Sequence, residues 1–235
     1  MTTLPPTTLS PSAFAALFDH TLLKPEATPA QVQQLADEAV EHGFAGVCVN
    51  PCYVTLVAKR VTGSAVLPVA VVGFPLGANR TDIKIDETLR AIGEGAREVD
   101  MVINSGYYRS GDKSPVRHEI AAVVRAARGV PVKVIIETAY LAPSEIQELS
   151  LWSAEAGAAF VKTSTGFSPR GATTEDLVLM RSALVNHPKV QLKASGGIRT
   201  LESVLAMVHA GADRIGSSSS VAILAAYAQA AAGKV

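Results

Sequence analysis

A lysine inside an apolar segment is the residue of this sequence with the clearest chemical potential. Lys162 lies in AFVKTSTG, residues 159–166, where a β-type run gives way to hydroxyl side chains and glycine. Burial disfavours the ammonium form, so a lysine in a packed strand must either pair its charge or lose part of its basicity. A neutral amine can add to a carbonyl group and form an imine. The segment therefore predicts either a buried ion pair or a nucleophilic lysine.

Ionisable residues occupy equivalent positions in other apolar segments. Asp100 lies in EVDMVIN, Lys133 in VKVIIE and Lys193 in VQLKAS. Because side chains alternate between the two faces of a strand, each of these residues faces away from the most apolar side of its segment. The faces predicted to turn inward carry Asp19 and Thr21, Cys48 and Asn50, Asp100, Val102 and Asn104, Lys133, Ile135 and Glu137, Phe160, Lys162 and Ser164, and Gln191, Lys193 and Ser195.

The segments that carry these residues alternate with amphipathic helices. One helix starts at Thr28 and Pro29, repeats apolar residues every three or four positions and ends at Gly43. Eight strand-then-helix units follow one another, which predicts an α/β fold closed as a single (β/α)8 TIM barrel with a short N-terminal helix. An open doubly wound sheet is the alternative. Its dinucleotide signature is missing, since GEGARE at Gly93 lacks the third glycine and follows a helix.

Composition limits the class of protein and its partners. Residues 1–11 are rich in proline and threonine and predict a disordered tail, whereas residues 12–235 predict one catalytic barrel domain. The 21 basic and 21 acidic residues balance, which argues against nucleic acid or an anionic membrane as a partner. The N-terminal segment has no secretory or mitochondrial leader pattern, so a cytoplasmic location is expected. No H-x-x-x-H pair occurs, so no metal is expected, and Cys48 and Cys52 are expected to be reduced thiols.

Two lysines fall on consecutive predicted strands. Lys162 and Lys193 would lie roughly 5 Å apart, where two ammonium groups repel and one amine is expected to lose its proton. The imine formed by that amine can accept the electron pair of an adjacent carbon–carbon bond, and Asp100 is the carboxylate placed to move protons. This combination predicts a Schiff-base aldolase. A layer of paired charges without chemistry remains the structural alternative.

Two turns rich in glycine and serine follow the last two predicted strands. They are SGGIR at Ser195 and GSSSS at Gly216. TIM barrels commonly bind phosphate after these strands, through backbone N–H groups at helix N-termini. The turns therefore predict a phosphorylated substrate.

Seven segments together carry a resemblance to a known family. DHTLLKPEAT, VCVNP, EVDMVIN, KVIIET, FVKTSTGF, KASGGIRT and RIGSSS occur in this order between Asp19 and Ser220 and closely resemble the deoxyribose-phosphate aldolases. The resemblance implies a class I aldolase of deoxyribonucleotide catabolism, which reversibly cleaves 2-deoxy-D-ribose 5-phosphate to acetaldehyde and D-glyceraldehyde 3-phosphate without a cofactor. It also implies a homo-oligomer, a dimer or a tetramer, whose ligands are a small sugar phosphate and aldehydes.

The same resemblance implies a role for each matching residue. Lys162 would form the imine, Lys193 would assist it, and Asp100 would relay protons. Cys48 would line the pocket and Thr165 would contact the substrate. The implied phosphate contacts are Gly196, Gly197, Ser218 and Ser219.

Two positions depart from the pattern of some family members. A lysine that helps to hold phosphate can follow STG, where this sequence has Phe167, and a terminal tyrosine can reach the active site, where it has Val235. Phosphate is therefore expected to rely on backbone groups together with Arg170 or Arg199. Two other classes stay open: a phosphate-binding barrel that isomerises or decarboxylates its substrate without an imine, and a non-catalytic sugar-phosphate sensor.

Overall fold

Eight parallel strands close into a barrel in a computed structural model that describes residues 9–233. Each strand pairs with the next along the chain, and the first pairs with the eighth, which confirms the predicted TIM barrel. The strands are β1 (Phe18–Leu22), β2 (Gly46–Val49), β3 (Leu67–Val72), β4 (Glu98–Val102), β5 (Val132–Ile135), β6 (Phe160–Lys162), β7 (Gln191–Ser195) and β8 (Arg214–Ser217).

Helices follow every strand and cover the outside of the barrel. Short 3-10 turns at Pro51–Tyr53 and Thr138–Tyr140 precede two of them. No helix among residues 9–233 is long and apolar enough to cross a membrane. The helices are α1 (Pro11–Ala15), α2 (Pro29–His42), α3 (Val54–Arg60), α4 (Thr81–Gly93), α5 (Ser105–Arg109), α6 (Ser114–Ala126), α7 (Pro143–Glu155), α8 (Thr174–Ala183), α9 (Leu201–His209) and α10 (Ser220–Ala231).

Helix α2 shows how local sequence sets an element's limits. The Thr28 side chain accepts a hydrogen bond from the Gln31 N–H group, and the Gln31 side chain accepts one from the Thr28 N–H group. This capping box satisfies backbone donors that an α-helix leaves free at its start. Gly43 ends the helix with φ +69°, a left-handed conformation that glycine adopts without a steric penalty.

Strand parity separates two layers, as the sequence predicts. Val99 and Met101 of β4 are buried with the helix residues of the main core, while Asp100 between them turns into the barrel. Cys48 of β2 turns inward too, beside Val69 and Val71 of β3. The outer layer is apolar and holds the helices to the barrel. The inner layer carries the charges.

Helix α1 precedes β1 and packs against α10. Phe14 stacks on Tyr227 of α10 with ring centroids 3.8 Å apart, and the Tyr227 hydroxyl donates to the Leu9 carbonyl at 2.6 Å. The helix begins at Pro11 with Ser10 as its N-cap, so the last residues of the predicted tail already belong to the barrel domain. Residues 1–8 of that tail lie outside the described residues, as do residues 234–235.

A buried ion pair fixes the loops after β3 and β4. Lys84 of α4 donates to Glu119 of α6 at 2.5 Å and to the carbonyls of Gly77 and Val102 at 2.7 and 2.8 Å. Glu119 also accepts a hydrogen bond from the Asn104 N–H group at 3.0 Å. Because the pair is buried and fully hydrogen-bonded, it holds the C-terminal end of β4, two residues beyond Asp100, in one position.

Candidate active site

A cavity of about 180 Å³ opens at the C-terminal end of the barrel. It lies between the ends of β1, β6, β7 and β8, which is the face where TIM barrels build their active sites. Its lining residues are Thr21, Leu22, Leu23, Lys24, Lys162, Thr165, Gly166, Phe167, Ser195, Gly196, Gly197, Ile198, Arg199, Gly216, Ser217 and Ser218. Five of the predicted site residues line this cavity: Lys162, Thr165, Gly196, Gly197 and Ser218. Asp100 does not line it but contacts the Lys162 amine from inside the barrel.

A cluster of buried charges lies inside the barrel beneath this cavity. Strand register brings these charges together, because Asp100 lies opposite Lys133 on the neighbouring strands β4 and β5, and Lys162 lies opposite Lys193 on β6 and β7. Ion pairs join four cationic side chains to three carboxylates, which leaves a net charge of +1 when all seven are ionised. The members are Asp19, Glu98, Asp100, Lys133, Lys162, Lys193 and Arg214.

The three lysines of the cluster differ in how many carboxylates they contact. Lys133 pairs with Glu98, with Asp100 at 2.9 Å and with Asp19 at 3.5 Å. Lys193 pairs with Asp19 at 2.5 Å and Asp100 at 2.7 Å. Lys162 has one such partner among the described residues, Asp100 Oδ2 at 2.8 Å, and it alone of the three lines the cavity.

These contacts set the basicity of each amine. Burial lowers the pKa of Lys162, and the charge of Lys193 lowers it further against the single opposing charge of Asp100. Burial acts on Lys193 in the same direction, but Asp100 and Asp19 outweigh it and raise the pKa of Lys193. Asp100 and Asp19 likewise raise the pKa of Lys133 against its burial. Lys162 is thus the amine of this group that gives up its proton most readily.

The carboxylates of the cluster stay ionised. Burial acts to raise the pKa of Asp100, but Lys133, Lys162 and Lys193 together hold it well below its usual range. The pKa of Asp19 is lowered in the same way, since Lys193, Lys133 and Arg214 outweigh its burial. Asp100 Oδ2 contacts both Lys162 and Lys193, so one carboxylate oxygen bridges the two amines.

Two glycines leave room for this cluster. A Cβ atom on Gly46 would lie 3.0 Å from Asp19 Oδ1 and 2.9 Å from Val69 Cγ2. A Cβ atom on Gly216 would lie 3.2 Å from Lys193 Cε. These distances are too short for an ordinary packing contact, so side chains at either position would displace the charged groups.

Cys48 lies deeper than the resemblance implies. Its thiol is fully buried, 4.0 Å from Asp100 Oδ2, and does not line the cavity. Burial raises the pKa of Cys48 to about 11, so the group is a thiol at neutral pH. Both Cys48 and Cys52 are free, as expected.

The glycine and serine turns form the outer wall of the cavity. Gly196 and Gly197 have φ of +85° and +75°, and Gly196 packs so closely on Gly171 that a Cβ atom there would lie 3.0 Å from the Gly171 Cα atom. The Ser217 hydroxyl donates to the Ile198 carbonyl at 2.7 Å and ties the two turns together. Ser218 lines the cavity, whereas Ser219 is the N-cap of α10 and is not part of the lining.

Two exposed cations flank these turns. Lys24, after β1, and Arg199, after β7, both line the cavity, and neither forms an ion pair within residues 9–233. Arg170 does not line it, because its guanidinium bonds to Asp176 at 2.5 Å and to the Thr138 carbonyl at 2.9 Å. Of the two arginines that sequence reasoning considers for phosphate, the structure leaves Arg199 available and engages Arg170 elsewhere.

Sequence reasoning missed three charged residues of this region. Glu98 shares the inward parity of Asp100, and that spacing could have found it. Arg214 lies opposite Lys193 in the register of β7 and β8, so predicting its place in the cluster requires the alignment of these two strands. Lys24 follows the predicted first strand within DHTLLKPEAT, in a loop where strand parity no longer indicates which way a side chain faces.

A closed (β/α)8 barrel with a cavity at the C-terminal ends of its strands has the architecture of an enzyme that acts on a small molecule. The chain matches the model of the DeoC/LacD family aldolases over residues 13–229. It is 49% identical over 213 residues to a deoxyribose-phosphate aldolase of Thermoanaerobacter sp., covering 89% of this chain and 95% of that one. A Staphylococcus aureus protein named deoxyribose-phosphate aldolase 2 is 51% identical over 210 residues, covering 89% and 94%.

A solved structure agrees in fold and in name. The tetrameric deoxyribose phosphate aldolase from Aeropyrum pernix superposes with a TM-score of 0.86 at 34% identity, covering 94% of this chain and 93% of that one. The chain therefore belongs to the DeoC/LacD family of aldolases. It is an aldolase, and so a carbon–carbon lyase.

Proposed function

We propose that the chain is a Schiff-base aldolase that reversibly cleaves 2-deoxy-D-ribose 5-phosphate to acetaldehyde and D-glyceraldehyde 3-phosphate, with Lys162 as the nucleophile. The observation that carries this proposal is the environment of Lys162. Its side chain is 3% exposed, at the cavity floor, with one carboxylate partner and a lowered pKa. The names of the relatives support the substrate.

The charge balance of the cluster supports a neutral Lys162. The cluster contains four cationic side chains and three carboxylates, so its net charge is zero when one of the cations loses its proton. Lys133 and Lys193 are held in their charged form by several carboxylates, and an arginine does not deprotonate in a protein. Lys162 is the remaining candidate. The low-dielectric interior of the barrel favours this state because it leaves no uncompensated charge.

The neutral Lys162 amine attacks C1 of the open-chain sugar and forms a carbinolamine, which loses water to give a protonated imine. Removal of the proton from the C3 hydroxyl then makes the C3 carbonyl, and the electron pair of the C2–C3 bond moves towards the iminium nitrogen. This step releases glyceraldehyde 3-phosphate and leaves an enamine. Protonation at C2 and addition of water return acetaldehyde and the free amine.

Asp100 and Lys193 serve the proton transfers of this sequence. Asp100 Oδ2 lies 2.8 Å from the Lys162 amine and 2.7 Å from the Lys193 amine, so the carboxylate is placed to exchange a proton with Lys162 while it remains paired with the charged Lys193. Lys193 stays protonated during these steps, because its amine also donates a hydrogen bond to Asp19 Oδ2. Its charge disfavours a second ammonium group at Lys162.

Phosphate recognition is assigned to the turns after β7 and β8. Backbone N–H groups near Gly197 and at the start of α10 form an anion site, since the Ser219 side chain makes no capping hydrogen bond there. Lys24 and Arg199 supply the positive charge that a lysine after STG provides in some family members. Phe167 instead packs edge-on against Phe74, with ring centroids 5.4 Å apart.

Chemical trapping tests the proposal. Incubation with acetaldehyde and borohydride is expected to reduce an imine and leave a two-carbon adduct on the peptide that contains Lys162. A chelator is expected to leave cleavage activity unchanged. An adduct on Lys193 alone would reverse the roles of the two lysines, and activity that a chelator abolishes and a divalent metal restores would contradict the imine mechanism.

The preference for a phosphorylated substrate provides a separate prediction. Lys24→Gln and Arg199→Gln are each expected to lower the ratio of kcat/KM for 2-deoxyribose 5-phosphate over 2-deoxyribose by about tenfold, because each removes a charged contact to phosphate. Phe167→Lys is expected to raise the ratio by about tenfold for the opposite reason. Arg170→Ala is the control and should leave it unchanged. A ratio that neither glutamine variant alters would remove both cations from the phosphate site.

The oligomeric state and the cellular location stay predictions. A homodimer or homotetramer and a cytoplasmic location are proposed on the sequence resemblance, and the Aeropyrum pernix relative is described as tetrameric. A single barrel domain at residues 12–235 and the absence of nucleic-acid partners and cofactors likewise remain expectations, whereas Pro11, which the predicted tail included, begins α1.

A further inference from the structure

A buried carboxylate outside the lysine cluster holds the loop that follows β6. Glu137 comes two residues after β5 and is 4% exposed. Its Oε2 atom accepts a hydrogen bond from the Thr165 hydroxyl at 2.5 Å, and its two oxygens lie 3.2 and 3.3 Å from the Thr165 N–H nitrogen. Its Oε1 atom also accepts from the Ser168 hydroxyl at 2.9 Å. Within residues 9–233 it forms no ion pair, so its contacts are hydrogen bonds to this loop.

The backbone of Glu137 is unusual for its residue type. It has φ +54° and ψ +67°, in the left-handed region, and only Arg128 among the described non-glycine residues shares a positive φ. Glutamate occupies this region rarely, and such residues concentrate at functional sites where the surrounding structure imposes the conformation. The backbone of the next residue is also held in place, because the Thr138 N–H group donates a hydrogen bond to the Thr163 carbonyl at 2.9 Å.

The hydrogen bonds of Thr165 fix which way its hydroxyl proton points. A threonine hydroxyl has one proton and two acceptor lone pairs. The proton is directed to Glu137, and one lone pair accepts from the Phe167 N–H group at 3.1 Å. Because Thr165 lines the active-site cavity, the remaining lone pair is the hydrogen-bonding capacity that its hydroxyl offers to a substrate.

We infer that Glu137 is a positioning residue that makes Thr165 a hydrogen-bond acceptor for a hydroxyl of the substrate. This inference rests on the proposed function. In that reaction the two-carbon half bound to Lys162 carries no hydroxyl once the imine has formed, so every free hydroxyl belongs to the half that leaves as glyceraldehyde 3-phosphate. Glu137 therefore acts on the leaving half and not on the imine.

The two half-reactions separate this role from a general structural one. Exchange of the methyl hydrogens of acetaldehyde in D2O needs only the imine and its enamine, because a C–H proton is lost and a deuteron from solvent takes its place. Cleavage of 2-deoxyribose 5-phosphate needs the leaving half as well. Glu137→Gln keeps the length of the side chain but places an N–H donor where one carboxylate oxygen accepted.

We expect Glu137→Gln to lower kcat/KM for cleavage by about tenfold to a hundredfold and to change acetaldehyde exchange by less than about threefold. Thr165→Val should likewise lower kcat/KM for cleavage and leave acetaldehyde exchange nearly unchanged. Adding Glu137→Gln to Thr165→Val should lower kcat/KM for cleavage by less than a further factor of about three, because the two residues act through one hydroxyl. Ser168→Ala is the matched control, since it removes another hydroxyl from the same carboxylate and leaves Thr165 in place.

Several outcomes would overturn the inference. If Glu137→Gln lowers cleavage and exchange equally, Glu137 supports the whole site and not the leaving half alone. If the separate losses of Glu137→Gln and Thr165→Val multiply in the double variant, Glu137 does not act through Thr165. If Glu137→Gln does not fold, Thr165→Val and Thr165→Ser decide the question: full cleavage activity in the valine variant would show that the hydroxyl is not used. Failure of the wild-type protein to exchange or trap acetaldehyde would instead count against the proposed function.

Discussion

Replacement of Lys162 by methionine is expected to lower kcat for aldol cleavage by about 10⁴-fold or more, because Lys24, the other lysine that lines the cavity within residues 9–233, is exposed and lies outside the buried charge cluster. Methionine keeps much of the side-chain volume but cannot form an imine. The measurement is kcat for 2-deoxyribose 5-phosphate, together with borohydride trapping of acetaldehyde. The variant should show no adduct on residues 159–166.

The charge balance predicts that this variant stays folded. Without Lys162 the cluster holds three cations, Lys133, Lys193 and Arg214, against the three carboxylates that it already contained. Removing Lys133 also leaves three cations and three carboxylates, but it breaks contacts to all three carboxylates. Lys133→Met should therefore lose more stability than Lys162→Met. The thermal midpoint of Lys162→Met should therefore exceed that of Lys133→Met.

Two control variants make the activity loss specific. Lys189→Met removes an exposed lysine near the start of β7 and should leave kcat and trapping unchanged. Lys133→Met, assayed below its melting temperature, should still trap acetaldehyde on Lys162. Substantial cleavage by Lys162→Met, or an adduct elsewhere in the chain, would contradict the assignment of the nucleophile.

The barrel could be predicted because its two layers follow strand parity. Val99 and Met101 face outwards if Asp100 faces inwards, so the parity of β4 predicts a polar inner face. Eight strand-then-helix units then leave little freedom in topology. The polar sequence after β4 does not predict a helix, but α5 forms there at Ser105–Arg109. The Asn104 side chain caps it by accepting a hydrogen bond from the Tyr107 N–H group.

The partners of each charge could not be predicted to the same extent. The sequence places Lys133, Lys162 and Lys193 on one layer, but which carboxylate each contacts depends on strand stagger around the closed barrel. Asp19 on β1 reaches Lys193 on β7 across β8, where Gly216 is the register partner of Asp19 and a Cβ atom would lie 3.2 Å from Lys193 Cε. The bond from Thr165 to Glu137 also depends on a left-handed residue that no sequence pattern here indicates.

The pH dependence of the reaction should reveal how Lys193 acts on Lys162. Only the neutral amine of Lys162 attacks the substrate, so kcat/KM is expected to rise as pH rises through the pKa of Lys162 and then to level off. Lys193 lowers that pKa by its charge. In Lys193→Met the cluster holds three cations and three carboxylates with Lys162 protonated, so charge balance favours the ammonium form.

Lys193→Met is therefore expected to lower kcat/KM at pH 7 by about 10²- to 10³-fold and to move the rising limb of the pH profile to higher pH. The deficit should shrink at alkaline pH, where Lys162 loses its proton in both proteins. Lys193→Arg keeps the positive charge and is the matched control, so its rising limb should stay near that of the wild type. If Lys193→Met retains activity with an unchanged profile, burial alone lowers the pKa of Lys162. If it loses activity equally at every pH, Lys193 acts on the substrate protons and not on the basicity of the nucleophile.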